Sequence, residues 1–148
     1  MSGREHDGAT LLLASVGAYA LWRLDPFLAL GFAGGSLLGG LWLSPDLDLP
    51  DSRPSRRWGP LRLLWEPYRA FHPHRGRSHT YLYGPLSRFL YLGLLLAPLA
   101  LVDLPLGLPS LPPEGLWGLG MGYLLSQWLH LLMDGILPFP LRRKRRRF

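Results

Sequence analysis

The stretch Ser44-Pro45-Asp46-Leu47-Asp48 closes a run of uncharged residues that begins at position 26. Two carboxylates this close repel each other unless a cation lies between them. The basic segment that follows ends with three histidines, His72, His74 and His79, directly before another apolar run. Carboxylate oxygens and imidazole nitrogens are ligands of divalent metals. We therefore expect the chain to bring these groups together at one end of a helical bundle.

Four apolar runs divide the 148-residue chain, and they cover residues 9–22, 26–45, 81–102 and 115–133. A bilayer-spanning helix needs about 20 apolar residues, a length that the second run reaches and the first does not. Arg88, near the start of the third run, is expected to extend to the nearby surface. The chain has no cysteine, so any metal site must use nitrogen and oxygen ligands.

These runs predict an all-α membrane bundle of about four apolar helices. An Arg- and Pro-rich loop, 44–80, joins the second helix to the third. Residues 1–141 are expected to form a single metal-binding domain, and residues 142–148 a basic tail. The aromatic and arginine residues of 58–68 are expected to lie at the membrane interface.

Small residues recur at every fourth position in two of the runs. The second run contains Gly31, Gly35 and Gly39, and the fourth contains Gly118, Gly122, Ser126, His130 and Asp134. Such stripes let two helices approach closely in a membrane. The second stripe ends in an i, i+4 pair of a histidine and a carboxylate, which share a helix face and can bind one ion.

Positive charge is unevenly distributed among the connecting segments. The 44–80 loop and the tail are strongly basic, whereas residues 103–114 contain no Lys or Arg. With four crossings, the positive-inside rule places both termini and the 44–80 loop in the cytoplasm. The tail is then a topology signal and lipid anchor rather than a nucleic-acid-binding arm. The ligand candidates all fall at cytoplasmic helix ends: His6, Asp46, Asp48, His72, His74, His79, His130 and Asp134.

Five short motifs occur in order along the chain. They are Ser2-Gly3-x-x-His6-Asp7, Pro45-Asp46-Leu47-Asp48, Arg57-Trp58-Gly59-x-Leu61-Arg62-x-x-Trp65-x-Pro67-Tyr68, His74-Arg75-x-x-Ser78-His79 and His130-x-x-x-Asp134. With these motifs the chain resembles a family of uncharacterised bacterial metal-binding membrane proteins. It is also similar to the wider group of YdjM-like membrane-bound metal-dependent hydrolases. The resemblance implies metal-ligand roles for His6, Asp46, Asp48, His74, His79, His130 and Asp134. His72 matches nothing in that pattern.

The expected chemistry is metal-assisted hydrolysis of a phosphoester, such as a phospholipid at the inner leaflet. One or two divalent ions (Zn, Mn or Fe) lower the pKa of a bound water and neutralise phosphoryl oxygens. Arg75 and Arg77 are expected to orient the anionic substrate through forked hydrogen bonds. Ser78 and His79 are adjacent in sequence, which does not make a catalytic triad, so no catalytic residue is assigned.

Other interpretations remain open at this stage. One alternative is a non-catalytic membrane protein that senses, stores or passes on a divalent cation, or uses it to hold the bundle together. Another is a soluble helical metal-binding domain with a basic surface. Each ligand candidate also has a simpler role. Asp46 and Asp48 fit a helix cap and a turn, and His130 and Asp134 fit a solvated helix end. His74 and His79 fit a basic loop on anionic lipid.

Overall fold

The computed structural model describes residues 2–72, 76–101 and 111–138, with the side chains of Arg77 and 99–101 excepted. These residues form helices and turns with no strand among them, so the all-α prediction is confirmed. The long helices are α1 (Gly3–Trp22), α2 (Pro26–Leu37), α5 (Tyr83–Leu101) and α6 (Pro113–Met133). Between α2 and α5 lie two short ones, α3 (Arg53–Arg57) and α4 (Glu66–Phe71). The tail lies outside the described residues.

Helix α1 begins six residues before the apolar run that predicted it. Ser2 caps it, because its Oγ accepts from the Glu5 amide while the Glu5 carboxylate accepts from the Ser2 amide at 2.6 Å. This reciprocal pair satisfies two amides that a helix start otherwise leaves without partners. The capping box places His6 inside the helix, where its side chain is buried.

Helix α2 has a defined start and a distorted end. Asp25 caps its first turn by accepting from the Leu28 amide at 2.7 Å. Past Leu37 the helix widens into a π-helical turn, Leu38–Trp42. The Gln127 amide donates to the carbonyls of Gly39 and Leu43 at 2.7 and 2.8 Å, which satisfies two backbone groups at this irregular end.

The two glycine-bearing helices pack closely, through the small-residue stripes that were expected to let another helix approach. A Cβ at Gly31 would overlap the backbone of Gly115, and one at Gly35 would overlap the carbonyl of Leu119. From the other side, a Cβ at Gly122 would overlap a carbonyl of α2. The α2 and α6 backbones therefore touch, and this contact fixes the position of the end of α6 relative to the end of α2.

The described part of the 44–80 segment, residues 44–72 and 76–80, is folded rather than an open loop, which corrects the prediction. It contains α3, α4 and three 3-10 helices, Pro45–Asp48, Gly59–Trp65 and Arg77–His79. Trp65 and Tyr68 are buried and pack with Leu43, Leu47 and Tyr123. Their burial contradicts the expectation that these two rings lie at the membrane interface, because the bundle end offers them a core instead. The segment forms a cap over that end.

Arg88 is fully buried, so the expectation that it extends to the surface is wrong. Its guanidinium donates to the Ser78 carbonyl at 3.0 Å and to the Gln127 side-chain oxygen at 2.7 Å. It forms no ion pair with an acid of the described residues. Hydrogen bonds to α6 and to the turn before α5 thus hold the charge inside the bundle.

The helical segment Pro26–Asp48, which comprises α2, the π-helical turn and the 3-10 helix after it, is long and apolar enough to span a bilayer. Among the described helices, this segment alone has the length and hydropathy of a membrane span, so a bundle of four spanning helices is not confirmed. Polar side chains lie in two of the other long helices: α1 begins with charged residues, and α6 contains Gln127 and His130.

Candidate metal centre

Two histidines and two aspartates from three separate segments converge at the end of the bundle. Asp46 lies on the 3-10 helix after α2, and His79 on the turn before α5. His130 is in the last turn of α6, and Asp134 is its C-cap. Each residue offers one ligand atom, and these atoms all lie within 4.8 Å of one another.

The spacing of these atoms suits a shared cation. Asp46 Oδ1 lies 3.8 Å from His79 Nε2 and 3.6 Å from His130 Nε2, and Asp134 Oδ2 lies 3.4 Å from His130 Nε2. Such distances are long for direct hydrogen bonds. Ligands at about 2.0–2.1 Å from a tetrahedral ion lie roughly 3.4 Å apart. The buried His130 Nε2 also has no hydrogen-bond partner within the described ranges, so a cation would satisfy it.

Both imidazoles are oriented by groups on their far side. His130 Nδ1 is 3.2 Å from Ser44 Oγ, and His79 Nδ1 is 3.2 Å from Ser78 Oγ. Asp48 Oδ2 lies 3.4 Å from His79 Nδ1 and accepts a 2.9 Å hydrogen bond from Ser78. With each Nδ1 held in this way, both Nε2 atoms face the centre. A carboxylate behind a metal-binding histidine is a recurrent supporting arrangement.

The electrostatics of His79 follow from its two carboxylate neighbours. Burial lowers the pKa of its imidazole, but the adjacent carboxylates of Asp46 and Asp48 favour the protonated ring, outweigh burial and raise the pKa to about 9. The same negative charge that holds a proton on His79 would favour a divalent cation in its place. A divalent cation bound there at neutral pH would therefore displace a proton.

His6 lies against the cluster without being one of its four converging groups. Its ring stacks on that of His130, with centroids 3.8 Å apart and planes 15° apart. Asp134 Oδ1 accepts from His6 Nε2 at 3.0 Å, while Asp134 Oδ2 faces His130. His6 therefore orients Asp134, and the capping box at the start of α1 positions His6.

The predicted metal ligands and substrate-binding arginines, together with His72, fall into four groups. Asp46, His79, His130 and Asp134 converge on one point, whereas Asp48 and His6 lie directly behind members of that cluster. His74, Arg75 and the Arg77 side chain lie outside the described residues. His72, which matched no motif, uses both ring nitrogens elsewhere, at the Tyr68 carbonyl and the Tyr83 hydroxyl.

Sequence reasoning missed the groups that support the site. Ser44 and Ser78 orient the two imidazoles, and Gln127 and Arg88 connect Ser78 to the end of α2. Ser44 and Ser78 each stand close to a predicted ligand in sequence, which was the available signal. For Gln127 the sequence signal was weaker: it is a polar amide within an apolar run.

A helical bundle with two imidazole nitrogens and two carboxylates converging at one end defines a metal-binding class of protein. The chain belongs to the family of uncharacterized metal-binding proteins DUF2227, whose sequence profile matches residues 1–111. The match includes His6, Asp46, Asp48 and His79. His130 and Asp134 lie beyond it, so their membership of the site rests on the geometry.

A relative from Aquifex aeolicus (strain VF5), described as an uncharacterized protein, is 49% identical over 61 residues. That stretch covers 41% of this chain and 43% of the relative, so the match spans less than half the length of either protein. No solved structure matches the chain.

Proposed function

We propose that the protein is embedded in a membrane and binds a divalent cation between Asp46, His79, His130 and Asp134. The observation that carries the proposal is the convergence of four ligand atoms within 4.8 Å, two of them on buried histidines. Two nitrogens and two oxygens suit Zn, Mn or Fe, and metal-binding is the description of the family itself.

The surface of the long helices supports the membrane part of the proposal. Large apolar side chains are exposed on all of them, including Leu12 and Tyr19 on α1, Leu30 on α2, Leu94 on α5 and Trp117 on α6. A water-soluble monomer rarely exposes apolar surface on this scale, whereas a bilayer covers it. The positive-inside rule then favours a cytoplasmic position for the basic 44–80 segment and for the metal centre beside it.

The metal claim is tested by the metal content of purified protein. His79→Ala should lose most of its bound divalent metal in elemental analysis, because it removes one of four converging ligands. His72→Ala is the matched control, since the nitrogens of that ring contact Tyr68 and Tyr83, and it should keep the wild-type content. Equal metal content in both variants would contradict the site.

The membrane claim has a separate test. After cell lysis and a high-salt wash, the protein should remain with the membranes and require detergent for its release. Recovery in the washed soluble fraction would contradict the membrane placement while leaving the metal site standing.

Metal-dependent hydrolysis of a phosphoester is a second candidate function. It is favoured by the exposure of Asp46, whose side chain is 22% accessible while those of the two histidines are almost fully buried. A catalytic metal keeps a position open to water, and a structural metal is closed. Metal-loaded protein should then hydrolyse at least one member of a phosphoester panel, and a chelator should abolish the activity. No turnover across the panel favours the non-catalytic alternative.

A further inference from the structure

A second charged feature lies on the 44–80 segment, apart from the four metal-binding candidates. Arg53, Arg56 and Arg57 line a cavity of about 280 Å³. They occupy positions i, i+3 and i+4 of α3, so their side chains share one face of this short helix. The cavity is open to solvent, since Arg53 and Arg56 are exposed and Arg57 is partly buried.

One carboxylate serves two of these arginines. Asp7 Oδ2 lies 3.1 Å from Arg53 Nε and 2.7 Å from Arg57 Nη2. Arg56 donates through Nε to the backbone carbonyl of Asp51 at 2.8 Å, a contact that leaves its charge unbalanced. Within the described ranges Asp7 is the one acid paired with these arginines, so three guanidinium charges are balanced by one carboxylate, an excess of two positive charges. Each guanidinium carries five N–H donors, so several of them remain for an anion.

Hydrogen bonds connect α3, which carries the three arginines, to the end of the apolar helix. Arg57 Nη1 donates to the Leu41 carbonyl at 2.9 Å, and the neighbouring Trp58 indole donates to the Trp42 carbonyl at 3.1 Å. Both acceptors belong to the π-helical turn Leu38–Trp42, near the end of the apolar run 26–45. Tryptophans beside guanidinium groups at the end of an apolar helix are typical of the level at which lipid phosphates lie.

We propose that the cavity formed by Arg53, Arg56 and Arg57 binds a phosphate-bearing anion, either the headgroup of an anionic lipid or a free phosphate. Guanidinium groups hold phosphate oxygens by paired, charge-assisted hydrogen bonds, and the two excess positive charges match a phosphate group. The site uses none of the metal-binding candidates. Its nearest links to the metal centre are α1, where Asp7 follows His6, and the 3-10 helix Pro45–Asp48, against which α3 packs. The inference therefore goes beyond the proposed metal-binding function and stands without it.

The test uses full-length protein in detergent, stripped of metal with EDTA so that phosphate cannot bind at the metal centre. One arm titrates inorganic phosphate by calorimetry. The other counts bound phosphatidic acid by native mass spectrometry, with phosphatidylcholine as the zwitterionic comparison. Arg56→Gln removes the guanidinium that has no acid partner, and Arg62→Gln removes an exposed arginine of the same basic segment that does not line the cavity.

Arg56→Gln should weaken binding about tenfold in at least one arm, because it removes a charge-assisted contact. Arg62→Gln should stay close to wild type. An effect in the lipid arm identifies a headgroup as the ligand, and an effect in the phosphate arm identifies a soluble anion. The proposal is overturned if neither probe binds the wild type or if the two variants lose equally. Metal content after reloading should be equal in both variants, so failure here is distinguishable from failure of the metal site.

Discussion

Asp48→Asn tests whether a buried carboxylate orients His79 rather than binding the metal itself. Asp48 Oδ2 lies 3.4 Å from His79 Nδ1 and accepts from Ser78 at 2.9 Å. Asparagine has nearly the same shape, and its carbonyl can still accept from Ser78. Its amide, however, presents a donor to Nδ1, which favours the tautomer with the proton on Nε2. That proton occupies the atom that faces the metal.

We expect Asp48→Asn to weaken metal affinity by the amount typical of a group that supports a ligand without binding the metal. Removing such a partner typically weakens metal affinity by about 10–100-fold, or about 1.4–2.7 kcal/mol. The dissociation constant for Zn²⁺ is measured by competition with a chromophoric chelator. Asp51→Asn is the matched control because its side chain is exposed, and it should bind like the wild type. The stoichiometry of Asp48→Asn should remain that of the wild type, since all four converging ligands are intact.

Two results would refute this reasoning. An affinity within about twofold of the wild type would show that Asp48 does not control the imidazole. Complete loss of metal from a folded variant would make Asp48 a direct ligand, and the centre would then contain three carboxylates.

Three other perturbations give expected outcomes. Gly35→Ala should lower the free energy of unfolding by about 1–3 kcal/mol, because its Cβ would overlap the α6 backbone, whereas Gly34→Ala faces open space and should be neutral or slightly stabilising in the same denaturant titration. Because the pKa of His79 is raised to about 9, its proton stabilises the apo-protein fully below pH 6.5, and this contribution is lost as pH rises through about 9. Metal affinity, measured by calorimetry, should change in the opposite sense and rise about tenfold per pH unit up to about pH 9. An affinity that does not depend on pH would contradict the proton displacement. Arg88→Met should lower the free energy of unfolding by about 1–3 kcal/mol, since it leaves the acceptors of Ser78 and Gln127 without a donor. An unchanged denaturation midpoint would show that burying the Arg88 charge destabilises the protein by a similar amount.

Local periodicity was sufficient to predict the long helices and a close-packing face on two of them. The apolar run 115–133 became α6, Pro113–Met133, almost without adjustment. The four-residue spacing of glycines in α2 and α6 predicted a face on each helix that lets another helix approach closely, because residues at that spacing share a helix face. That these two faces contact each other is known from the structure. The length of α1 was underestimated, since its first turns are polar and depend on the Ser2–Glu5 capping box.

The 44–80 segment was harder to predict because its order comes from tertiary contacts. Its prolines and arginines suggested a loop. In the structure, however, Trp65 and Tyr68 are buried and pack against Leu43, Leu47 and Tyr123. Contacts between residues so far apart in sequence leave no periodic signal. The same is true of Arg88, whose partners Ser78 and Gln127 are brought together by the fold alone.

The candidate site shows a similar division. The sequence picked out the residues that converge, because an acid or a histidine at the edge of an apolar run is costly without a partner. It gave no means of separating the groups that face the centre from those behind them. Asp46 and Asp48 are two residues apart and chemically identical. Their different positions follow from the 3-10 helix Pro45–Asp48, which directs one carboxylate toward both histidines and the other toward Ser78.

X-ray absorption spectroscopy of the Zn²⁺-loaded wild-type protein tests the metal centre most directly, because it counts imidazole ligands at the ion. A centre formed by Asp46, His79, His130 and Asp134 should show two imidazoles and two oxygen ligands from the protein. Replacing His130 by Ala should remove one imidazole from the spectrum or abolish binding, and replacing His72 by Ala should leave it unchanged. A spectrum without imidazole scattering, or one with three or more imidazoles, would contradict the two-histidine centre.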